Sequence, residues 1–270
     1  MVKKVLIVLF LLLAGAGVGL YFSSTSETLF FDTIPWVLAA SLVLGIILGV
    51  ARAMLKGKPE IVGGQVIRHG VGSFVEHWGT FIGGLVLTAS AIMLGFLFIP
   101  SFVKTVSAAA FPLNMHFIGL AIAIFSGFFW LADFIVSRNY SSLVPNVADV
   151  IGGTIAKYFL RRKWEYEDKY LSSQKAAWLA FAVLGAGVFA TGAIKVAAHI
   201  WRLQASVYSM TTYIHDVFAL LFIVLVIVHV LIIAALGHWP ALISWVTGKM
   251  SERYVEEELP VWYKKLHKGA

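Results

Sequence analysis

Six runs of apolar residues, at 5–22, 35–55, 78–102, 113–136, 174–197 and 213–236, alternate with polar stretches along this chain. Each run is eighteen residues or longer, enough for a helix to cross a hydrocarbon core about 30 Å thick. Two polar stretches are substantial. Residues 56–76 are basic, and residues 138–172 carry Lys157, Arg161, Arg162, Lys163, Glu165, Glu167 and Asp168. A charged tail, 237–270, closes the chain. The pattern predicts an all-α integral membrane protein of six spanning helices, with the loop 138–172 and the tail 237–270 on one side.

Composition agrees with that class. Of 270 residues, 60% are hydrophobic and 13% charged, and the mean hydropathy is +0.87. The net charge of +7 would suggest nucleic acid in a soluble protein, but here the basic residues sort by side and no nucleic-acid partner is expected. With the N-terminus in the cytoplasm, eighteen of the 21 Lys and Arg fall on cytoplasmic segments, and only Lys104, Lys195 and Arg202 lie outside. Basic loops stay inside, so a multi-pass protein of a bacterial cytoplasmic membrane with a cytoplasmic C-terminus is expected. Lys3 and Lys4 before the first run resemble a signal peptide, yet the run is long for one, and an uncleaved anchor is the expectation. The chain has no cysteine. That excludes disulfides, thiolate-held iron–sulfur clusters and thioether-linked haem within it.

Histidine placement brings in chemistry. His215 and His229 stand fourteen residues apart in the last apolar run. On a helix, fourteen steps fall about 40° short of four turns and rise about 21 Å. Two imidazoles on one stripe at two depths suit ligands for two stacked metal centres. Haem iron is the natural candidate. His77, opening the third run, is expected at the depth of His229, and His116, opening the fourth, at the depth of His215. Each pair could hold one haem between facing helices. Packed or interfacial histidines satisfied by neighbours are the alternative. His69, His199, His238 and His267 read as solvated, interfacial or tail residues. Asp133 reads either as an interfacial charge paired with Arg138 or as a proton relay. Arg68, Arg161 and Lys175 are candidates to neutralise haem propionates. Glycines within the runs, Gly83, Gly84, Gly119, Gly127, Gly185 and Gly187, suit close approach of helices or of a flat macrocycle.

Five stretches resemble the cytochrome b (gamma) subunit of membrane-bound formate dehydrogenases. They are IRHGVGSFVEHW entering the third run, NMHFIGLAIAIFSGFFWLADF in the fourth, KYLSSQK before the fifth, YIHDVFALLFIVLVIVHV in the sixth, and ISWVTGKMSERYVEEELPVWYKKL in the tail. The family's Asn-Ala-Gly-Gln stands here as Leu171, Ser172, Ser173 and Gln174. The resemblance covers roughly residues 67–266. It implies a four-helix dihaem cytochrome b core in residues 57–270, preceded by two extra N-terminal transmembrane helices in residues 1–56, with two haem b groups on His77, His116, His215 and His229. It also implies a quinone, menaquinone or ubiquinone, near Tyr170, Gln174 and His229. The expected partners are an iron–sulfur subunit and a molybdenum- or tungsten-containing catalytic subunit on the outer face, together with lipid and further copies of the whole complex in a homo-oligomer. The chain itself would then be a non-catalytic electron-transfer subunit linking that oxidoreductase to the quinone pool. Two alternatives are the cytochrome b subunit of a hydrogenase or thiosulfate reductase, and a transporter whose histidines carry protons or a metal ion.

Overall fold

The computed structural model describes residues 2–26, 28–57, 59–138, 140–236 and 238–268. The side chains of Lys3 and Lys4, counted in the charge asymmetry, lie outside the described residues. Helices dominate, at 78% of the chain. The long ones are α1 (Val2–Thr25), α2 (Trp36–Leu55), α3 (Val71–Leu94), α4 (Val106–Ser137), α5 (Ser172–Trp201) and α6 (Ala205–Ala235). Five of them, α2 to α6, are long and apolar enough to cross a membrane. The chain is an all-α, multi-pass membrane protein.

Helix ends depart from the apolar runs for local reasons. The third run extends to residue 102, but α3 stops at Leu94 because Gly95 takes φ 79°, which an L side chain adopts poorly. Residues 96–99 then form a tight turn closed by a Phe96–Ile99 bridge. At its other end α3 begins at Val71, so His77 lies nearly two turns inside the helix and does not open it. Likewise α4 starts at Val106, capped by the Thr105 hydroxyl, which accepts from Ala108 N at 3.2 Å. His116 therefore sits ten residues into α4.

The chain divides into two compact units: Met1–Lys56 with His69–Arg138, and Gly57–Arg68 with Asn139–Ala270. In the first unit α2 and α3 both pack on α4. Gly45 and Gly49 of α2 form a small-xxx-small pair. A Cβ at Gly45 would meet the Phe125 carbonyl, and one at Gly49 the Phe129 carbonyl, so the two backbones touch. Gly83 of α3 and Gly119 of α4 do the same for the other seam. The buried Asn114 ties the segment after α1 to α4. Its Oδ1 accepts from Phe30 N at 2.8 Å and its Nδ2 donates to the Thr28 carbonyl at 3.0 Å.

In the second unit α5 and α6 pack together as a pair. The polar stretches add structure that hydropathy does not reveal. β1 (Ile61–Val62) and β2 (Gln65–Ile67) form a hairpin turned by Gly63 and Gly64, both at positive φ. β3 (Lys249–Ser251) in the tail joins β2. Three short helices flank it, α7 (Trp239–Thr247), α8 (Glu252–Glu258) and α9 (Pro260–Lys268). Val66, Leu171, Ala241, Met250, Val255, Leu259 and Trp262 form the buried core of this extramembrane layer. Within 138–172, Asp149–Ala156 winds as a π-helix, a rare form.

Candidate functional site

The register of the α3–α4 seam sets the depth of two histidines. Gly79 faces Ser126, Gly83 faces Gly119 and Ala123, and Leu87 faces Gly119, so the helices run in opposite directions. Ser90 meets His116 at that register, with Oγ 2.9 Å from Nδ1. His77 is thirteen residues from Ser90 on α3. His77 and His116 are therefore separated by about 20 Å along the first unit. In the second unit His215 and His229 are separated by fourteen residues of one helix, about 21 Å. His77 and His116 belong to the first unit, and His215 and His229 to the second.

His116 and His215 each have a hydroxyl beside Nδ1. The Ser90 hydroxyl lies 2.9 Å from the Leu87 carbonyl and 2.9 Å from His116 Nδ1. Thr191 repeats the arrangement. Its hydroxyl donates to the Gly187 carbonyl at 2.7 Å and lies 3.0 Å from His215 Nδ1. The Val188 backbone, a further acceptor for Thr191 at 3.1 Å, is also hydrogen-bonded to His215. In both rings the hydroxyl contact is on the Nδ1 side, which orients the imidazole and leaves Nε2 without that contact. His77 and His229 instead meet aromatic rings edge-on: His77 lies 5.4 Å from Trp78, and His229 lies 5.4 Å from Phe181.

Glycines leave room beside these stripes. Gly84 follows His77 by seven residues and Gly127 follows His116 by eleven, each about 20° from its histidine around the helix. A Cβ added at either would meet nothing within 4 Å. Phe125 and Phe129, which face α2, lie nine and thirteen residues beyond His116, about 180° and 140° around α4. His116 thus looks away from α2. Gly187 is different, since a Cβ there would strike Phe218, and Gly192 sits 3.3 Å from His215 Cε1 by the same measure. Open space thus adjoins His77 and His116 on their own helices. Among the described residues, no three His, Asp or Glu side chains gather as a metal site; a haem needs only two rings.

Asp133 is buried, and its partners are Arg52 of α2, in direct ion-pair contact, and Lys56 at 3.7 Å. The expected pairing with Arg138 is corrected: that residue ends α4 in the left-handed region at φ 50°. Arg52 also bridges Glu76 at 3.3 Å and donates to Ser73 at 2.9 Å. Sequence reading missed this cluster because its members come from three helices.

Of the residues expected near a quinone, Tyr170 and Gln174 gather around Arg68 in the second unit, while His229 meets Phe181 further along α5. Gln174 Oε1 accepts from Arg68 at 3.0 Å and from Leu171 N at 3.2 Å. Arg68 lies over the Tyr170 ring at 5.0 Å and donates to Ser244 and to the Lys169 carbonyl. Burial holds its guanidinium below the usual range. Phe181, the ring against His229, is seven residues past Gln174 and on the same face of α5, about two turns away. Lys175, read from sidedness as a propionate partner, is buried against Asp149 at 3.2 Å instead. His238, read as interfacial, is hydrogen-bonded to Tyr158 Oη at 2.9 Å, with Ser173 also 3.2 Å from that hydroxyl. Burial, and then Lys157, hold His238 below the ordinary imidazole range. Burial and Glu258 push the Tyr254 phenol up to about 12.

In comparisons with known proteins, no family model, no curated protein and no solved structure matches the chain.

Proposed function

We propose that the chain is a membrane-anchoring dihaem b cytochrome subunit. It would carry electrons between an outer iron–sulfur and molybdopterin oxidoreductase, formate dehydrogenase-like, and the membrane quinone pool. The observation that carries this reading is the matched spacing of two histidines in each of two units, with Nδ1 of His116 and of His215 held by a hydroxyl. His77, His116, His215 and His229 would hold two haem b groups, which when bound supply a one-electron couple at each depth. Ser90 and Thr191 hold the ring orientation and raise the basicity of Nε2. Gly84 and Gly127 keep side chains out of the adjoining space. Tyr170 and Gln174 would bind the quinone headgroup. The Gln174 carbonyl is already taken by Arg68 and Leu171, so its amide hydrogens are the groups that would donate to a quinone oxygen. The family resemblance supplies the catalytic partners and the inner-membrane placement; the residues themselves argue for the ligand set.

The purified chain in liposomes should show a b-type absorbance that a quinol reduces and a quinone reoxidises. A preparation with b-type absorbance that no quinol reduces would remove the quinone assignment. The hydroxyls give a sharper expectation. Ser90→Ala and Thr191→Val should each weaken retention of one haem by about 10–100-fold, read as haem lost on dilution in detergent. Equal retention in both variants would mean that the hydroxyls only pack.

A further inference from the structure

The stretch between α4 and α5 has an apolar side that faces outward. Val147, Ile151, Ile155 and Phe159 are 74%, 58%, 47% and 79% exposed. They recur every four residues. That spacing lies between an α turn and the wider turn set by i→i+5 bonds, so the four share one side of the helical stretch. The opposite side is buried and polar. Asp149 and Ser172 are buried there, and Gly153 is so close to Ser172 that a Cβ would meet its hydroxyl.

This buried side is pinned to the start of α5. The Ser172 hydroxyl lies 3.2 Å from Asp149 and 2.9 Å from Glu167, sharing its proton between them. Lys175 reaches Asp149 at 3.2 Å, and Lys157 reaches Glu167 at 3.0 Å. Ser172 is the first residue of a helix apolar enough to span a membrane. The stretch is therefore held at the level where a spanning helix leaves lipid. Directly after Phe159 and the exposed Leu160 come Arg161, Arg162 and Lys163, all exposed. Glu165 bridges Lys163 at 2.7 Å, while the nearby acidic residues Glu167 and Asp168 are buried and turned to Lys157 and Lys265.

We infer that residues 147–163 form an interfacial element that lies along the membrane surface and binds anionic phospholipid. Val147, Ile151, Ile155 and Phe159 enter the boundary of the acyl chains, and Arg161, Arg162 and Lys163 meet headgroup phosphates. An outward apolar side, a cationic end and an anchor at a span terminus are the parts such an element needs. The pairing of cations with apolar exposure favours an anionic lipid surface over a protein partner. This inference requires only that the chain crosses a membrane, and it is independent of the haem reading.

The chain has no cysteine, so a single nitroxide can be placed on Phe159→Cys, with Glu256→Cys as a control on the exposed side of α8. The full chain goes into nanodiscs of phosphatidylcholine with or without phosphatidylglycerol, and spin relaxation by oxygen and by a water-soluble nickel chelate is measured. The label at 159 is expected to be reached by oxygen and shielded from nickel, more deeply with phosphatidylglycerol, while the label at 256 shows the reverse. Arg161→Glu with Arg162→Glu should remove the phosphatidylglycerol dependence, since each arginine near an anionic surface is worth about a five-fold preference. Nickel access at 159 in both lipids would overturn the inference. So would shielding from both reagents, which means a protein covers this side. A depth insensitive to phosphatidylglycerol and to charge reversal would remove the anionic headgroups from it.

Discussion

His116→Ala is expected to remove one of two haems and leave the other in place. His229→Ala should do the same for the second, so that each variant retains one b-type component with a different midpoint potential. The reasoning starts from helix geometry. His116 lies level with Ser90, about 20 Å from the level of His77, too far for one macrocycle to span both depths. A variant at one depth therefore has no route to the other site except through unfolding. Loss of one imidazole would release the haem that it helps to hold, so close to half of the b-type absorbance should be lost. Potentiometric titration of membranes carrying each variant separates the two components. If both variants retain full haem content, the ligand set is wrong. If either loses all haem while the helical far-ultraviolet signal is intact, the two depths are not independent.

The second large effect concerns stability. Arg52→Ala should destabilise the first unit by about 3–5 kcal/mol, the usual cost of leaving buried charge without its partner. Arg52 is the residue shared by Asp133, Glu76 and Ser73. Asp133 is only 6% exposed, and Lys56, at 3.7 Å, is a weaker substitute. Because Arg52 sits near the end of α2, its loss also loosens the seam that Gly45 and Gly49 make with α4. The paired variant Arg52→Met with Asp133→Leu removes the charge and its orphaned partner together, and it should recover much of the loss. Thermal unfolding in detergent, followed by helical content, distinguishes these outcomes. An unchanged midpoint in Arg52→Ala would mean that water reaches the cluster and screens it.

The apolar runs located the five helices that, among the described residues, are long and apolar enough to cross a membrane, since each of those runs is the length of a span and polar residues separate them. Their ends were less legible. The run through residue 102 hid the stop at Gly95, where backbone conformation outweighs hydropathy. The Gly63-Gly64 pair between Ile61–Val62 and Gln65–Ile67 was a readable hairpin signal, overshadowed by the basic character of residues 56–76. The π-helix was not readable, because apolar residues every four positions fit an α-helix nearly as well. At the candidate site, the histidines were visible from spacing alone. Their hydroxyl partners were not, because Ser90 and Thr191 join His116 and His215 only once the register of two helix pairs is known. The Arg52–Asp133 contact spans more than eighty residues of sequence, and no local pattern announces it.

The most direct measurement is the haem content of the purified full chain by pyridine haemochrome, set against protein concentration from amino-acid analysis. The proposed ligand set of His77, His116, His215 and His229 predicts two haem b per chain, with bis-imidazole low-spin signals in electron paramagnetic resonance. A chain that folds, keeps its helices in lipid and yet contains no haem when expressed in haem-replete cells would contradict the ligand assignment outright.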